Sequence, residues 1–280
     1  MEYNAGVRES VSARWVMTIV GIVIAAVFLF PVYWMIISSL ETQQQIFATP
    51  APWFPPTPTL AGYIAALPSQ LPHIGVSAEI AIGSTILSLL IALPAAYALA
   101  HFKMKATVWL VLALLFTQMI PSVTMITPLF LIFYHLHLIN TIPGLILADS
   151  IAAVPFDILI LRAFLESVPF ELSEAAFVDG AGEWGAFLRV VIPVSFSGVI
   201  TAALFSFLFA WGDFLNALTL MNNSSGQPVM LSLYTFIGQY QTSWNAVMAT
   251  AVLASIPAVV LLLIFQRYIT AGLTGGALKG

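Results

Sequence analysis

Six long runs with few or no charged side chains constrain this chain more than any other feature of its sequence. A helix rises about 1.5 Å per residue, so roughly 20 apolar residues cross a hydrocarbon core about 30 Å thick. The runs lack the strict alternation of apolar and polar residues that a transmembrane β-strand shows. We therefore predict an all-α membrane protein with six transmembrane helices. The predicted spans are residues 15–37, 80–100, 106–134, 142–161, 190–212 and 246–266.

The composition argues against a soluble domain, against nucleic acid binding and against disulfide or thiol chemistry. Charged residues make up 7% of the chain and hydrophobic residues 60%, whereas an ordinary soluble domain has about 25% charged residues. The formal net charge of −4 gives no reason to expect nucleic acid binding, which requires a basic patch. The absence of cysteine excludes disulfides and thiol chemistry. The first apolar run exceeds the ~7–15 residues of a signal-peptide core, so we expect it to be retained as a span.

The basic residues predict the direction of the spans. All 8 lysines and arginines lie before span one, between spans two and three, between spans four and five, or after span six. These segments share one side of the predicted bundle, and lysine and arginine favour the cytoplasmic side. We therefore expect residues 1–280 to form one transmembrane domain with both termini in the cytoplasm. Residues 38–79 and 213–245 are then the outer loops.

Acidic residues gather between spans four and five, in residues 166–189, which we name the acidic segment. Each charge at the centre of a bilayer costs about 2.5–3.5 kcal/mol, so this segment is expected outside the lipid. Pro169 suits a first helical turn and Gly180 suits a helix end. A helix this short is marginal alone, so it docks either on its own bundle or on a partner. Phe177 and Trp184 are large anchors of the kind that interfaces use.

At these residues a family resemblance becomes specific. Residues 174–176 (EAA), residues 179–181 (DGA) and then Phe187, Ile192 and Pro193 resemble the EAA signature of ATP-binding-cassette (ABC) importer permeases. FAWGDFLNAL and the terminal GLTGGALKG are similar to carbohydrate importer permeases, in particular to the maltose-permease G-type subunit with its MetI-like transmembrane domain. The likeness covers roughly residues 15–280. It implies the fold of a type I ABC importer permease in a prokaryotic inner membrane.

The resemblance also implies roles and partners. The segment around Glu174 would be a coupling helix that contacts an ATPase subunit, with Glu174 facing a basic residue, the alanines allowing close approach and Gly180 making the turn. Implied coupling residues are Glu174, Ala175, Ala176, Asp179, Gly180 and, in the C-terminal tail, Lys279. The implied partners are a second, homologous permease, two ATPase subunits and an extracytoplasmic solute-binding protein. ATP and Mg would be bound by the ATPase, because no lysine here follows a G-x-x-x-x-G phosphate loop.

Polar residues in or near the spans suggest where a solute could pass. Lipid offers such groups no hydrogen-bond partners, so they either join helices or face a hydrated path. The candidates for the path are Gln118, Asp149, Trp211, Asp213 and Asn216. The polar tip between spans five and six is either a simple turn or, as the resemblance implies, a docking loop for the binding protein. Its candidates are Asn222, Asn223, Ser224, Gly226 and Gln227. His135 and His137 lack a nearby carboxylate or cysteine in the sequence, so we expect no metal site.

The resemblance therefore implies a non-catalytic subunit of an ATP-driven importer for a sugar or oligosaccharide. A permease for a glycerol-phosphate-type or other polar solute is an alternative, and so is an ion-coupled carrier that uses Asp149, Asp157 or Asp213. An intramembrane hydrolase is disfavoured because no span contains a nucleophile–base set. Ser197, Gly212 and Asp213 depart from the family pattern, and without the second proline at Ser197 we expect span five to bend less at its start.

Overall fold

The computed structural model describes residues 11–102, 105–222, 226–236 and 243–277. Throughout these ranges the regular structure is helical, in agreement with the predicted fold class. One π-helical turn at Phe187–Val191 lies between the short helices Glu183–Ala186 and Ile192–Val194. The helices are α1 Val11–Ser39, α2 Gln43–Ile46, α3 Ala61–His101, α4 Thr107–Met119, α5 Ser122–His135, α6 Ile142–Leu165, α7 Glu171–Val178, α8 Glu183–Ala186, α9 Ile192–Val194, α10 Phe196–Trp211, α11 Leu215–Leu220, α12 Val229–Phe236 and α13 Trp244–Ala277.

Within the described part of the chain, 4 helices are long and apolar enough to cross a membrane, and two bent helix pairs bring the number to 6 if each pair is one span. The long helices are α1, α3, α6 and α13. The bent pairs are α4 with α5, and the run Glu183–Val194 with α10. If each bent pair is one crossing, the number of crossings equals the six apolar runs of the sequence.

Helix α3 begins earlier than the sequence predicts. It runs for 41 residues from Ala61 and contains Pro68, Pro72 and Pro94, so residues 61–79 of the predicted outer loop are helical. A proline removes one backbone hydrogen bond, which membrane helices tolerate where other groups satisfy the freed carbonyl. The predicted span starts at Ile80 because it follows the uncharged run after Glu79, and the helix extends beyond that run.

The two bends have local causes. Helices α4 and α5 meet at 97°, where Ile120 is extended with ψ 121° before Pro121, as expected for a residue that precedes proline. The second bend, of 80°, lies at Ser195, which has φ −90° and ψ 17°. The turn occurs at Ser195 without a second proline at position 197. That Ser197 makes span five bend less than in relatives stays a prediction.

The chain divides into two compact units, and the first comprises Met1–Leu67 with Tyr240–Leu253. It contains α1, α2 and the first turns of α3 and α13. A Cβ atom at Gly62 would lie 2.7 Å from the Asn245 carbonyl oxygen, so the close approach of α3 and α13 here requires glycine. The Ser39 and Tyr63 hydroxyls lie 2.7 Å apart and join α1 to α3 within this unit.

The second unit comprises Pro68–Gln239 with Ala254–Gly280. Helix α6 is its central element, since it packs against α4, α10 and α11. One core cluster brings the end of α3 together with α6, the π-helical turn and α10. Its fully buried members are Ala92, Ala96, Leu161, Leu165, Val191 and Ala202. A second cluster around Ile80, Leu145 and Leu220 joins α3, α6 and α11.

Candidate functional site

Helix α7 presents one exposed face and one buried face. Ser173 and Ala176 are buried, whereas residues 171, 174, 175 and 178 are exposed and follow the i, i+3, i+4, i+7 spacing of one helical face. The exposed face combines two carboxylates with Ala175 and with Val178, whose side chain is 87% exposed. Apolar side chains rimmed by charge are typical of a surface that contacts another protein.

The C-terminus of α7 is closed by a turn that depends on Gly180. Its φ of 86° is in the left-handed region that glycine adopts at little cost. The Gly180 N–H donates to the Phe177 carbonyl at 3.0 Å, and the Ala181 N–H donates to the Ala176 carbonyl at 2.9 Å. This pair of bonds is a Schellman motif. The predicted helix end at Gly180 is confirmed, and the motif leaves Asp179 exposed beside it.

Tyr97, at the end of α3, holds the acidic segment in place. Its ring is buried and lies 4.8 Å from the Phe187 ring and 4.6 Å from the His101 ring, between ring centroids. Its hydroxyl lies 3.5 Å from the Glu183 carboxylate. The Trp184 ring packs edge-on against Phe187 at 5.7 Å. The segment is thus fixed to the bundle, while Trp184 on its outer surface is 67% exposed.

The predicted coupling residues differ in their exposure. Ala176 is buried by this chain, and its contact with an ATPase stays a prediction. Its small side chain allows α7 to lie close to its own bundle. Lys279 lies outside the described residues. Glu174, Ala175, Asp179 and Gly180 are exposed.

Three of the predicted pathway residues come together in a partly buried polar cluster. The Asn216 side-chain amide donates to Asp149 on α6 at 2.9 Å, and its backbone N–H donates to Asp213 at 3.3 Å. Asp213 also accepts the Ala217 N–H at 3.0 Å and so satisfies the first turn of α11. Asp149 is buried, and its second carboxylate oxygen has no hydrogen-bond partner within the described part of the chain.

The other two pathway candidates lie elsewhere. Trp211 is buried, stacks on Phe207 at 5.6 Å and donates from its indole nitrogen to the Ala254 carbonyl at 3.1 Å. It is a core residue that joins α10 to α13, and its role on a solute path stays a prediction. Gln118 is exposed on α4 and takes no part in the hydrogen bonds around Asn216.

Asp157 belongs to a second buried polar cluster. Its carboxylate accepts hydrogen bonds from Ser88 on α3 and from Ser206 on α10, and all three residues are buried. Lipid and a packed core offer no water, so these bonds satisfy groups that would otherwise cost several kcal/mol. The sequence pointed to Asp157 but gave no signal for its serine partners, which lie 69 and 49 positions away.

The predicted docking loop is fixed at both ends. The Asn222 N–H donates to Asn140 at 2.5 Å, and His73 donates to the Gln227 carbonyl at 2.7 Å. Asn222 is exposed, Gly226 is half-buried and Gln227 is buried, and contact of Gln227 with a binding protein stays a prediction. Asn223 and Ser224 lie outside the described residues.

Comparison with known families decides what kind of membrane protein this is. Residues 84–275 match the family described as "Binding-protein-dependent transport system inner membrane component", and the match includes the acidic segment and both polar clusters. The chain belongs to this family of transporter permeases. The permease is therefore a multi-pass inner-membrane component of an ABC transport system.

Two relatives illustrate the similarity. The permease is 36% identical to the sulfoquinovosyl glycerol transport system permease protein of Agrobacterium fabrum, over 90% of this chain and 89% of the relative. It is 36% identical to the trehalose transport system permease protein of Mycobacterium tuberculosis, over 90% and 93% of the two chains.

A solved structure supports the fold independently. The permease matches a chain from the crystal structure of a bacterial ABC transporter involved in the import of the acidic polysaccharide alginate. The TM-score is 0.79 at 20% identity, over 93% of this chain and 98% of that one. At this identity the likeness shows the fold alone. The predicted fold, that of a type I importer permease, is confirmed.

The described part of the permease shows no group of three or more histidine, cysteine, aspartate or glutamate side chains that could hold a metal ion. Asp149 and Asp157 are instead bound by asparagine and serine side chains.

Proposed function

We propose that the permease takes up a sugar or a glycoside through an ATP-driven importer and that α7 is its coupling helix. The exposed face of α7, attached to the bundle through Tyr97 and Phe187, is the observation that carries this proposal. Relatives are named for the transport of sulfoquinovosyl glycerol, trehalose and diacetylchitobiose. All three solutes are glycosides, which favours this class over glycerol phosphate diesters.

In this proposal the chain hydrolyses no nucleotide and works with subunits that do. Two ATPase subunits carrying ATP and Mg close on each other, and each pulls on the coupling helix of one permease. Glu174 and Asp179 would face basic groups of the ATPase, while Ala175 and Val178 allow close contact. Because α7 is short and its end is closed by the Schellman motif, it transmits the movement as a rigid body.

The movement would reach the membrane through the contacts of Tyr97. Displacement of α7 and α8 acts on α3 through the Tyr97 ring and on α10 through the π-helical turn that contains Phe187. A second, homologous permease completes the path, and a solute-binding protein delivers the solute at the opposite face. Binding of that protein and closure of the ATPase favour the same state, so their effects on each other must be reciprocal.

The finer assignments follow from the same proposal. Asp213 and Asn216 are half-buried and are the side chains of the polar cluster best placed to meet solute hydroxyls, with Asp149 behind them. Asn222 and its neighbours would contact the binding protein, and Lys279 would contact the ATPase. Both termini and the acidic segment would be cytoplasmic, as the distribution of lysine and arginine favours.

Uptake into proteoliposomes containing the assembled transporter and its binding protein tests the proposal. We expect ATP-dependent uptake of at least one solute from a panel of neutral and acidic glycosides, and none of glycerol phosphate diesters. Glu174→Lys should reduce uptake at least tenfold, because it reverses a charge at the ATPase contact. The matched control is Glu79→Lys, which reverses an exposed acid on α3 and should leave uptake near the wild-type rate.

Two outcomes of this experiment would contradict the proposal. Uptake that continues without ATP and follows a sodium or proton gradient would favour an ion-coupled carrier. Equal loss of uptake in the two variants would show that charge in general, rather than the face of α7, matters for activity.

Cysteine labelling tests the orientation. The chain has no cysteine of its own, so single cysteines at Asn222 and Lys105, both exposed, report without interference. In intact cells we expect an impermeant maleimide to label position 222 and to label position 105 only after lysis. The reverse pattern would invert the proposed topology.

A further inference from the structure

The segment that follows α1 carries large apolar side chains that the chain leaves uncovered. No charged residue lies between Thr42 and Thr59. In the middle of this segment Trp53 is 64% exposed and Phe54 is 72% exposed. A loop facing water would not be expected to expose adjacent aromatic residues without any charge around them.

This segment is attached to the end of α1 by aromatic contacts. The Trp53 ring lies 6.3 Å from the Trp34 ring and 6.2 Å from the Phe30 ring, between centroids. The Tyr33 hydroxyl donates to the Trp53 carbonyl, and the Phe54 ring meets the Tyr33 ring edge-on at 6.3 Å. The position of Trp53 and Phe54 along α1 is therefore fixed.

Hydrogen bonds also hold the two ends of the segment together. The Thr59 N–H donates to the Leu40 carbonyl at 2.8 Å, and the Gln45 side chain donates to the Thr57 hydroxyl at 2.5 Å. Thr42 and Gln45 form a capping box at the start of α2. The segment is a loop closed by hydrogen bonds. Its contacts with α1 fix the position of its exposed aromatic side chains along the axis of α1.

The position of Trp53 and Phe54 along α1 coincides with a membrane interface. Trp34 follows Trp15 by 19 residues along α1, which corresponds to about 28 Å of helix. This length is close to the ~30 Å thickness of the hydrocarbon core. Tryptophan and tyrosine concentrate at the two interfaces, where the ring is buried and its polar atom is wet. Trp15 then marks one interface, and Trp34, Tyr33 and Trp53 mark the other.

We propose that residues 47–57 form a lipid-binding loop that lies in the headgroup region at the Ser39 end of α1, with Trp53 and Phe54 inserted at the boundary between headgroups and acyl chains. The partner is the phospholipid interface itself. Neutral polar side chains and backbone groups of the loop face the headgroups, and the two rings face the acyl chains. The loop would fix the depth and tilt of α1, a role that does not depend on which solute is transported.

Spin-label accessibility in the assembled transporter, reconstituted in phospholipid nanodiscs, tests this proposal. A nitroxide is attached at Phe54→Cys, with cysteine-free partner subunits, and its collisions with oxygen and with a water-soluble nickel chelate are measured. Phe28→Cys, in the middle of α1 and 78% exposed, is the reference in lipid. Asn222→Cys, exposed in a polar turn, is the reference in water. Ala51→Cys, also exposed, provides a second label in the loop if the Phe54 variant fails to assemble.

The expected oxygen-to-nickel accessibility ratio at position 54 lies between those of the two references, and that at position 51 lies closer to the water reference. A ratio at position 54 equal to that of Asn222→Cys would place the loop in water and overturn the proposal. Low accessibility to both reagents would also overturn it, because the loop would then be covered by a protein subunit. A fall in oxygen access at position 54 on addition of the solute-binding protein would show a protein docking surface instead.

Discussion

The acids of α7 and those of α6 are the same kind of side chain in opposite surroundings. Glu171 and Glu174 on α7 are exposed beside apolar side chains. Asp149 and Asp157 on α6 are buried and accept hydrogen bonds from other helices. A carboxylate in a packed, water-free bundle is costly unless it is bound, so the acids of α6 are tied to the internal structure. The acids of α7 are free to meet another molecule.

This contrast separates residues that hold the bundle together from residues that connect it to partners. Changes at the buried acids should be seen first in stability, and changes on α7 should be seen first in ATP-driven transport. Four variants test this separation between stabilising residues and partner-contacting residues.

Asp157→Ala should give the largest loss of stability. It leaves the Ser88 and Ser206 hydroxyls without their shared acceptor, at about 1–3 kcal/mol for each buried group left unpaired. Thermal unfolding of the purified complex measures the loss. Ser88→Ala should cost less alone, and it should cost almost nothing when added to Asp157→Ala. Additive losses in this double-mutant cycle would show that the hydrogen bond between the two is not formed.

Asn216→Ala should have a comparable but smaller effect on stability and a distinct effect on transport. The variant removes the donor to buried Asp149, at about 1–3 kcal/mol, and we also expect a raised KM for the solute. Thr219→Ala is the matched control on the same helix, since Thr219 donates to the Leu215 carbonyl within α11. A KM that does not change while stability falls would make Asn216 a structural residue only.

Gly180→Val should reduce ATP-driven uptake, with a smaller loss of thermal stability than Asp157→Ala. A Cβ atom at Gly180 would meet nothing within 4 Å, so the cost is the left-handed backbone conformation itself, about 1–2 kcal/mol. Asparagine tolerates that conformation better, so Gly180→Asn should retain most of the uptake. Equal uptake by the valine and asparagine variants would show that the turn at the end of α7 is unimportant for coupling.

Arg162→Gln should have the smallest effect. Arg162 and Glu166 form an i, i+4 ion pair at 2.6 Å, and both side chains are partly exposed. Such pairs stabilise a helix by about 0.3–0.5 kcal/mol. We expect thermal stability in the absence of salt to fall slightly and stability in high salt to be unchanged. A large loss at both salt concentrations would assign Arg162 a role in the core.

The sequence predicted those features that a single residue type or a long run imposes. Uncharged runs specify membrane helices because lipid cannot solvate charge, and Gly180 specified the end of α7 because few residues adopt its φ. Both predictions needed only local information.

The remaining features depend on contacts between distant parts of the chain. Tyr97 meets Glu183, 86 positions away, and no periodicity links the two. The early start of α3 was missed because the predicted span was drawn from the uncharged run that follows Glu79. The burial of Ala176, Trp211 and Gln227 depends on which face each element turns towards the core. A motif can show that a segment has a role without showing which of its side chains are exposed.

Cross-linking of α7 to the ATPase tests the central claim most directly. In the assembled transporter, Val178→Cys, at 87% exposure in this chain, is treated with a short cross-linker that carries one maleimide and one photoreactive group, and Ser173→Cys on the buried face of the same helix is the control. We predict a cross-link between position 178 and the ATPase subunit whose yield changes on nucleotide binding, and none at position 173. A fully assembled complex in which position 178 forms no cross-link to the ATPase would contradict the assignment of α7 as the coupling helix.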